Sequence, residues 1–317
     1  MWIFLVEQDI MIEANIKDVW KYIISFQEQR KWSPWLTIES DCKLTITWEN
    51  AKVGNMESWV WDVIGQGERE ITNIIEWEFI DYQIRFKKPY ASRARAYISL
   101  QKCGKYCTTV VWAMEWNLPW YMSFMKKKMQ SYIDADYKRG LEMLKYLVET
   151  GHPPTDIKAQ GTTEHHETFT VWIQRTSSVA EISELMSKDF QTLWKFVLEN
   201  QTWAHGARSY YTNVDMKKDS YTYRSSILLS RDEFIDLDEA ILWDDIVKYY
   251  YPAGKTYSLR MTGSYNFMGN AWNAVFMHIK AKKLKINTKF PSFEDYINDP
   301  SQTPDHKRIT DLSVYVK

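Results

Sequence analysis

The chain has 317 residues, and its 40 basic and 41 acidic side chains leave a formal net charge of −1. A chain of this length usually forms about two domains. A balanced charge provides no field that would attract nucleic acid or an anionic membrane, so we expect neither as a direct partner.

The sequence also indicates a cytoplasmic protein. No apolar run reaches the ~18 residues of a membrane-spanning helix, and the first residues lack the basic region and cleavage site of a secretion signal. The three cysteines, Cys42, Cys103 and Cys107, form too sparse and odd a set for a disulfide framework. Cys103 and Cys107 flank the turn "CGKYC", and we interpret them as two free thiols on a hairpin rather than a redox pair or half a metal site.

Residues 1–150 are predicted to form a strand, a helix, several strands and one long helix. The opening strand is "FLVEQDIMIEA". The helix "IKDVWKYIISF" places apolar side chains along one stripe: Ile16, Val19, Trp20, Ile23 and Ile24. Strand-like runs follow from "KLTITW" to "CTTVVWAMEW". The last helix carries a long apolar face: Met122, Met125, Met129, Ile133, Tyr137, Leu141, Leu144 and Val148.

Tryptophan is concentrated on one face of the predicted sheet. Alternation places Trp59 and Trp61 on the same face of one strand, and Trp112, Met114 and Trp116 on the same face of another. Such a face is either a dense core or the wall of a cavity between the sheet and the long helix. The periodicity of the sequence is compatible with both.

Several stretches of this half, "VEQDIMIEANIKDVWKYI", "KWSPW", "GERE", "FKKPY", "VVWAMEW" and "GLEMLKYLVE", resemble the START-like family, also called SRPBCC or the polyketide cyclase/dehydrase superfamily. The resemblance covers nearly all of residues 1–150. It implies a helix-grip fold with an apolar cavity between the sheet and the C-terminal helix, which Trp59, Trp61, Trp112 and Trp116 would line. Members of the family carry lipids, polyketides or hormones, act as cyclases or assist chaperones, and no catalytic set carries over.

We predict that the chain divides in "TGHPPTDIKAQG", which combines glycine, two prolines and polar residues. We therefore assign residues 1–150 to a first domain, 151–158 to a linker and 159–317 to a second domain.

The second half contains two copies of a strand–helix–strand–strand unit. The first copy runs from "TFTVWIQRT" to "SYTYRSSILL", and the second from "KTYSLRMTG" to "RITDLSVYVK". Two such units can pair their sheets about a pseudo-twofold axis and leave a cleft between them. The predicted fold is therefore α+β, a helix-grip domain followed by a duplicated βαββ domain.

Alignment of the two copies identifies a carboxylate that only one of them carries. It places Tyr211 on Tyr296 and Ser209 on Glu294. Because the first copy has no carboxylate there, the fold does not require one, and we predict that Glu294 serves a ligand. The alternative is a strand glutamate that faces water.

The stretch "YYPAGKTYSLRMTGSYNFMGNAWNAVFMHIKAKKL", together with "FPSFEDYINDPSQTP" and "RITDLSVYVK", resembles the GyrI-like effector-binding domain, the small-molecule module of many multidrug-sensing and AraC-type regulators. The resemblance covers about residues 159–317. It implies that Glu294 receives cationic drugs in an aromatic cleft formed by Tyr296, Trp272 and Tyr265. We assign Tyr211, which aligns with Tyr296 in the repeat, to the same ligand site. Some stand-alone relatives are hydrolases that use the same carboxylate to activate water. The acidic insert "SRDEFIDLDEAILWDD" departs from the family pattern.

A carboxylate among aromatic rings has two chemical uses. It can neutralise a cation, to which the rings add ~0.5–2 kcal/mol of quadrupole attraction. Its desolvation also raises its pKa, which suits a general base equally well.

No metal or cofactor site is predicted. The adjacent histidines of "EHHE", residues 164–167, would point to opposite faces of a strand, and no further histidine lies at ligand spacing. No basic helix-turn-helix segment is present. The leading hypothesis is therefore a small-molecule sensor or sequestering protein without its own DNA-binding domain, for a hydrophobic or cationic aromatic ligand. The alternatives are an enzyme, either a hydrolase using Glu294 or a cyclase-like activity in the N-terminal cavity, and a carrier of lipids or other hydrophobic molecules.

Overall fold

The computed structural model describes residues 2–38, 42–48, 51–63, 65–88, 90–118, 126–243 and 245–317. The chain forms two compact units, Met1–Ile157 and Lys158–Lys317. Two antiparallel sheets, of seven and eight strands, occur together with separate helices, which confirms the α+β class. In the described part of the chain, no helix is both long enough and apolar enough to cross a membrane.

The first unit has the predicted helix-grip arrangement. Its strands lie in the order β1-β7-β6-β5-β4-β3-β2. Their bounds are β1 (Trp2–Ile12), β2 (Lys43–Ile46), β3 (Met56–Val60), β4 (Gln66–Ile75), β5 (Phe79–Lys88), β6 (Ser92–Gly104) and β7 (Cys107–Leu118). Two helices, α1 (Ile16–Ile24) and α2 (Phe26–Gln29), follow β1, and α3 (Lys126–Thr150) contacts β1 and β7.

The apolar stripes predicted on the two main helices of this unit face the core. Asn15 caps α1, since its side chain accepts hydrogen bonds from the backbone N–H groups of Lys17 and Asp18. The buried residues of α1 are Ile16, Val19, Trp20 and Ile23. On α3, Tyr137, Leu141 and Leu144 are buried, whereas Met129, Ile133 and Val148 are half-buried. Met122 and Met125 lie outside the described residues.

Cys103 and Cys107 form a disulfide, so the interpretation of two free thiols is wrong. The two residues lie on the hairpin between β6 and β7, where their Cα atoms are 5.1 Å apart. This distance is within the usual range for a disulfide. Counting cysteines over the whole chain missed the pair because one tight turn is enough to bring two cysteines side by side.

The second unit contains the predicted duplication in an eight-stranded sheet, ordered β12-β9-β11-β10-β14-β15-β13-β8. The first copy consists of β9 (Thr168–Ser177), α4 (Ile182–Glu199), β10 (Ala204–Asp215) and β11 (Ser220–Leu229). The second copy consists of β13 (Gly254–Gly263), α6 (Met268–Ala281), β14 (Ser292–Tyr296) and β15 (Ile309–Tyr315). Pairing of β10 with β14 joins the copies into one sheet.

Two strands of this sheet, β8 (Thr155–His165) and β12 (Val247–Tyr251), lie outside the repeats. β8 begins inside the segment assigned to the linker, and the continuous exposed stretch before it is residues 151–153. Its polar residues and Gly161 have the composition of a loop, which is why the sequence did not predict it. The acidic insert forms α5 (Arg231–Asp236) and a 3-10 helix (Glu239–Ile241) before β12.

Candidate functional site

Ser209 of β10 lies directly opposite Glu294 of β14 in the strand pairing that joins the two repeats. The flanking pairs are Tyr211 with Ser292 and Ala207 with Tyr296. If the two copies are exchanged, Ser209 takes the place of Glu294 and Tyr211 takes the place of Tyr296. The pairing between β10 and β14 is then the same as before. The pseudo-twofold axis of the domain therefore passes between Ser209 and Glu294.

Glu294 is covered by the protein, with 2% of its surface exposed. Its Oε1 accepts a hydrogen bond from the indole Nε1 of Trp272 at 2.6 Å and from the Tyr211 hydroxyl at 3.0 Å. Its Oε2 accepts one from the Tyr296 hydroxyl at 2.9 Å. The carboxylate does not face water, and three aromatic donors hold it. We call Glu294, Tyr211, Trp272 and Tyr296 the Glu294 cage.

The first copy contributes Met186 and Ser209 to the other side of the axis. The sulfur of Met186, on α4, lies 3.2 Å from the Ser209 hydroxyl and 3.3 Å from the Tyr296 hydroxyl. The hydroxyls of Tyr296 and Ser209 are 3.0 Å apart. Ser209, which is fully buried, therefore adjoins the cage through Tyr296.

Trp272 makes the corresponding contacts in the second copy. It bonds to Glu294, and its ring packs edge-on against Tyr211 with centroids 5.5 Å apart. Met186 and Trp272 therefore occupy equivalent positions in the two helices. Each helix supplies one side chain at the axis, but only the second supplies a hydrogen-bond donor.

Sequence analysis missed Met186, although a signal was available. Phe190 and Phe276 stand four residues after Met186 and Trp272, so each pair lies on one helix face. Phe190 packs edge-on against Tyr296 at 5.6 Å, and Phe276 stacks on Trp272 at 5.9 Å. Aligning the helices of the two copies as well as their strands identifies Met186.

Tyr265, also predicted at this site, lies beside the cage rather than in it. Its ring centroid is 5.8 Å from that of Tyr296, and the guanidinium of Arg308 lies 4.9 Å from the Tyr265 ring. Tyr265 therefore contacts the site through Tyr296.

Burial raises the pKa of Glu294, and the hydrogen bonds from Trp272, Tyr296 and Tyr211 oppose that rise without cancelling it. Burial, with a smaller effect of the neighbouring Glu294 charge, raises the pKa values of Tyr211 and Tyr296 well above their ordinary range. Both phenols therefore keep their protons and remain donors. Among the described residues, no cationic side chain acts on the pKa of Glu294.

A buried carboxylate without a counter-ion is energetically costly, because hydrogen bonds replace only part of its hydration. The site relieves this cost if Glu294 takes up a proton or if a cation reaches it. Both responses depend on the same carboxylate.

Trp112, predicted to line a cavity in the first unit, belongs to a packed aromatic cluster. It stacks on Tyr137 of α3 with centroids 4.1 Å apart, and Trp32 and Trp35 pack edge-on against it at 5.3 and 5.6 Å. A Cβ at Gly140 would lie 2.7 Å from the Trp112 ring. Rings fill the space between sheet and helix around Trp112.

The remaining three tryptophans lie in other surroundings. Trp59 and Trp116 both pack against Phe86, with centroids 6.3 and 5.9 Å from its ring. Trp61 is buried beside Leu36. The indole Nε1 atoms of Trp61 and Trp116 are buried and have no hydrogen-bond acceptor among the described residues.

Residues 4–149 match the family model described as polyketide cyclase / dehydrase and lipid transport. This match agrees with the START-like resemblance of residues 1–150. No curated protein sequence matches the chain.

The chain is also similar to solved structures, three of which follow with their identity, coverage and TM-score. The C-terminal domain of EcmrR is 12% identical, with 50% of this chain and 98% of that chain covered and a TM-score of 0.43. An uncharacterized conserved protein from Listeria innocua is 11% identical over 50% and 94% of the two chains, with a TM-score of 0.41. A structural-genomics target from Nitrosospira multiformis is 19% identical over 47% and 98%, with a TM-score of 0.37.

Proposed function

We propose that this chain is a cytoplasmic small-molecule sensor or sequestering protein, and that its Glu294 cage receives a cationic aromatic ligand. The observation that supports this most directly is that the buried Glu294 carboxylate accepts hydrogen bonds from three neutral aromatic donors. Among the described residues, no cationic side chain acts on its pKa. A ligand cation supplies the charge that the site lacks. The GyrI-like resemblance of residues 159–317 is in accord with this proposal.

Ligand entry requires movement of a side chain that covers Glu294. Trp272 is the candidate, because it is half-buried while the carboxylate beneath it is buried. A ring-bearing cation that displaces Trp272 would take over its place beside Oε1 and its edge-on contact with Tyr211. Met186 can adjust to ligands of different shape, since methionine is unbranched and flexible.

Glu294→Gln tests this proposal because it keeps the shape of the side chain and removes its charge. Crystal violet is the cationic probe, its neutral leuco form is the matched control ligand, and binding is followed by dye absorbance and fluorescence. A hydrogen bond to a charged group contributes ~1.5–3 kcal/mol, so the variant should bind crystal violet about tenfold to a hundredfold more weakly.

The control variant is Glu199→Gln, which changes an exposed carboxylate on α4. It should bind crystal violet like the unmodified protein, and the leuco form should bind both variants alike. Equal affinity of Glu294→Gln and Glu199→Gln for the cation rules out the cage as a cation site.

A hydrolase is the second candidate for the same site, favoured by the raised pKa of Glu294. As a general base Glu294 would take a proton from a water molecule that has replaced one of its three donors. Glu294→Gln would then retain ligand binding and lose turnover of an activated ester such as p-nitrophenyl acetate. Loss of binding without any turnover in the unmodified protein instead supports the sensor.

The first unit is a candidate carrier of an apolar ligand that has an oxygen acceptor. The matching family is described by lipid transport, and the buried N–H groups of Trp61 and Trp116 have no acceptor among the described residues. A buried donor without a partner costs ~1–3 kcal/mol, which a ligand carbonyl or hydroxyl would recover. Titration with a long-chain fatty alcohol and with the alkane of equal length tests this. The alcohol should bind more tightly than the alkane, because only the alcohol has an oxygen acceptor.

A further inference from the structure

On the face of the second sheet opposite Glu294, four charged side chains form a row across four adjacent strands. Arg208 on β10 binds Asp295 on β14 through contacts of 2.5 and 3.0 Å. Arg260 on β13 binds Asp311 on β15 through two contacts of 2.7 Å. Asp295 and Asp311 stand directly opposite each other in the pairing of β14 with β15. The centre of the row is therefore a pair of like charges, which is unfavourable in an antiparallel sheet.

This row forms part of the wall of a cavity of about 390 Å³ within the second unit. Arg208, Asp295 and Asp311 line it, as do Glu164 and Glu167 at the turn between β8 and β9. The motif "EHHE" thus lies at a cavity, a position that its sequence did not indicate.

The hydrogen-bonding groups of the cavity favour a ligand that donates hydrogen bonds. Arg208 is 5% exposed, and the Nη1 that does not bind Asp295 donates to the Tyr210 hydroxyl at 3.0 Å and to Thr168 Oγ1 at 3.4 Å. Its donors are therefore largely used. Asp311 Oδ2 accepts two hydrogen bonds, from Arg260 and from Gln160 Nε2 at 3.2 Å. The other three carboxylate oxygens of Asp295 and Asp311 accept one each from an arginine and retain a lone pair, because each oxygen accepts up to two.

The charge of the cavity favours a cation. Of its four carboxylates, Asp295 is paired with Arg208 and Asp311 with Arg260. Glu164 and Glu167 are exposed, and the exposed Arg231 approaches Glu167 only to 3.8 Å. An exposed pair of this kind contributes little. His165 does not add positive charge, since burial and the nearby Arg208 lower its pKa to about 4. In the described part of the chain, no three metal-ligating side chains are placed to hold a metal ion.

We propose that this cavity is a second ligand site, which takes a small organic ammonium ion such as an aliphatic amine or diamine. The ligand places an ammonium group near the adjoining carboxylates of Asp295 and Asp311 and extends toward Glu164 and Glu167. It differs from the ligand of the Glu294 cage because the cavity has an excess of acceptors rather than a set of aromatic donors.

Putrescine is the probe, and 1,4-butanediol is its uncharged counterpart. Isothermal titration calorimetry should detect one putrescine per chain and no butanediol. The double variant Glu164→Gln/Glu167→Gln changes two exposed carboxylates without touching the row. Loss of two exposed ionic contacts should weaken putrescine binding about twofold to tenfold.

Glu294→Gln separates this site from the cage, because it should leave putrescine affinity unchanged while it weakens binding of crystal violet. Absence of putrescine heat, unchanged affinity in the double variant, or loss of putrescine binding in Glu294→Gln each overturns the proposal. Equal binding of butanediol also overturns it, since charge is then not recognised.

Discussion

At Glu294, burial and hydrogen bonding act on the pKa in opposite directions, and burial has the larger effect. Its folded-state pKa therefore lies above the unfolded value of 4.5. Between these two values the folded chain holds more protons than the unfolded chain, so the free energy of unfolding falls as pH rises through the window. Glu294→Gln has no such titration.

We therefore expect the unmodified protein to lose stability relative to Glu294→Gln as pH rises above about 4.5. Urea unfolding of both proteins between pH 4.5 and 8 measures this difference. Affinity for crystal violet should change in the opposite sense, since it falls as acid protonates the carboxylate. If the two unfolding curves shift in parallel over the whole range, Glu294 has an ordinary pKa in the folded protein.

Ser209 keeps a second carboxylate away from the pseudo-twofold axis. Ser209→Glu would place two buried carboxylates opposite each other, where one of them lacks any compensation. An uncompensated buried charge costs ~3–5 kcal/mol. We therefore expect the free energy of unfolding to fall by about that amount at pH 7 and by less near pH 4.5. Ser209→Ala is the matched control and should cost about 1 kcal/mol, the value of one hydrogen bond. Equal losses for the two variants, measured by urea unfolding, would show that charge is not what constrains this position.

At the scale of single elements, the packing of α3 on the first sheet depends on Gly140. Alanine there gains about 1 kcal/mol of helix propensity. However, its Cβ would lie 2.7 Å from the Trp112 ring and 2.9 Å from Pro34. Overpacking of this kind costs ~1–3 kcal/mol, so Gly140→Ala should lower the midpoint of urea unfolding.

Gly269 provides the matched control for this prediction. It lies in α6, and a Cβ there would meet nothing within 4 Å. Gly269→Ala should therefore raise stability by up to about 1 kcal/mol. If both alanine variants are stabilised equally, α3 can shift away from Trp112 and the aromatic cluster is not tightly packed.

The elements that the sequence predicted are those with a clear period. The helical stripes of α1 and α3 and both βαββ copies follow from apolar spacing, because one face of each element must be buried. β8 was not predictable in the same way, since most of its side chains are exposed and polar. The Cys103–Cys107 bond depends on the geometry of one turn, which a count of cysteines does not contain.

The sequence predicted the candidate site only where comparison of the two copies of the repeat revealed a difference between them. Comparison of the copies singled out Glu294, because Ser209 showed that the fold does not need a carboxylate there. The cavity near Asp295 was not predictable, because the row that lines it depends on the register of four strands that are distant in sequence. The place of Trp112 in a packed cluster depends on the rotation of α3, which side-chain alternation in a strand does not fix.

At the scale of the whole molecule, the chain divides into units on either side of a boundary between Ile157 and Lys158. We expect each unit to fold independently, as two sheets with separate cores allow. The exposed segment of residues 151–153 is the natural place to divide the chain, because α3 ends at Thr150 and β8 begins at Thr155. Limited proteolysis should cut there first among interior sites.

Fragments 1–153 and 154–317 should each give cooperative thermal unfolding by circular dichroism, with a combined spectrum equal to that of the full chain. A fragment of residues 159–317 is the matched control, because it removes the first four residues of β8. Shortening a strand that is hydrogen-bonded to β13 removes backbone pairing at the edge of the sheet. The shorter fragment should therefore unfold at a lower temperature than 154–317. Equal midpoints would place the boundary at residue 159, and two unfolded fragments would show that neither unit is an independent domain.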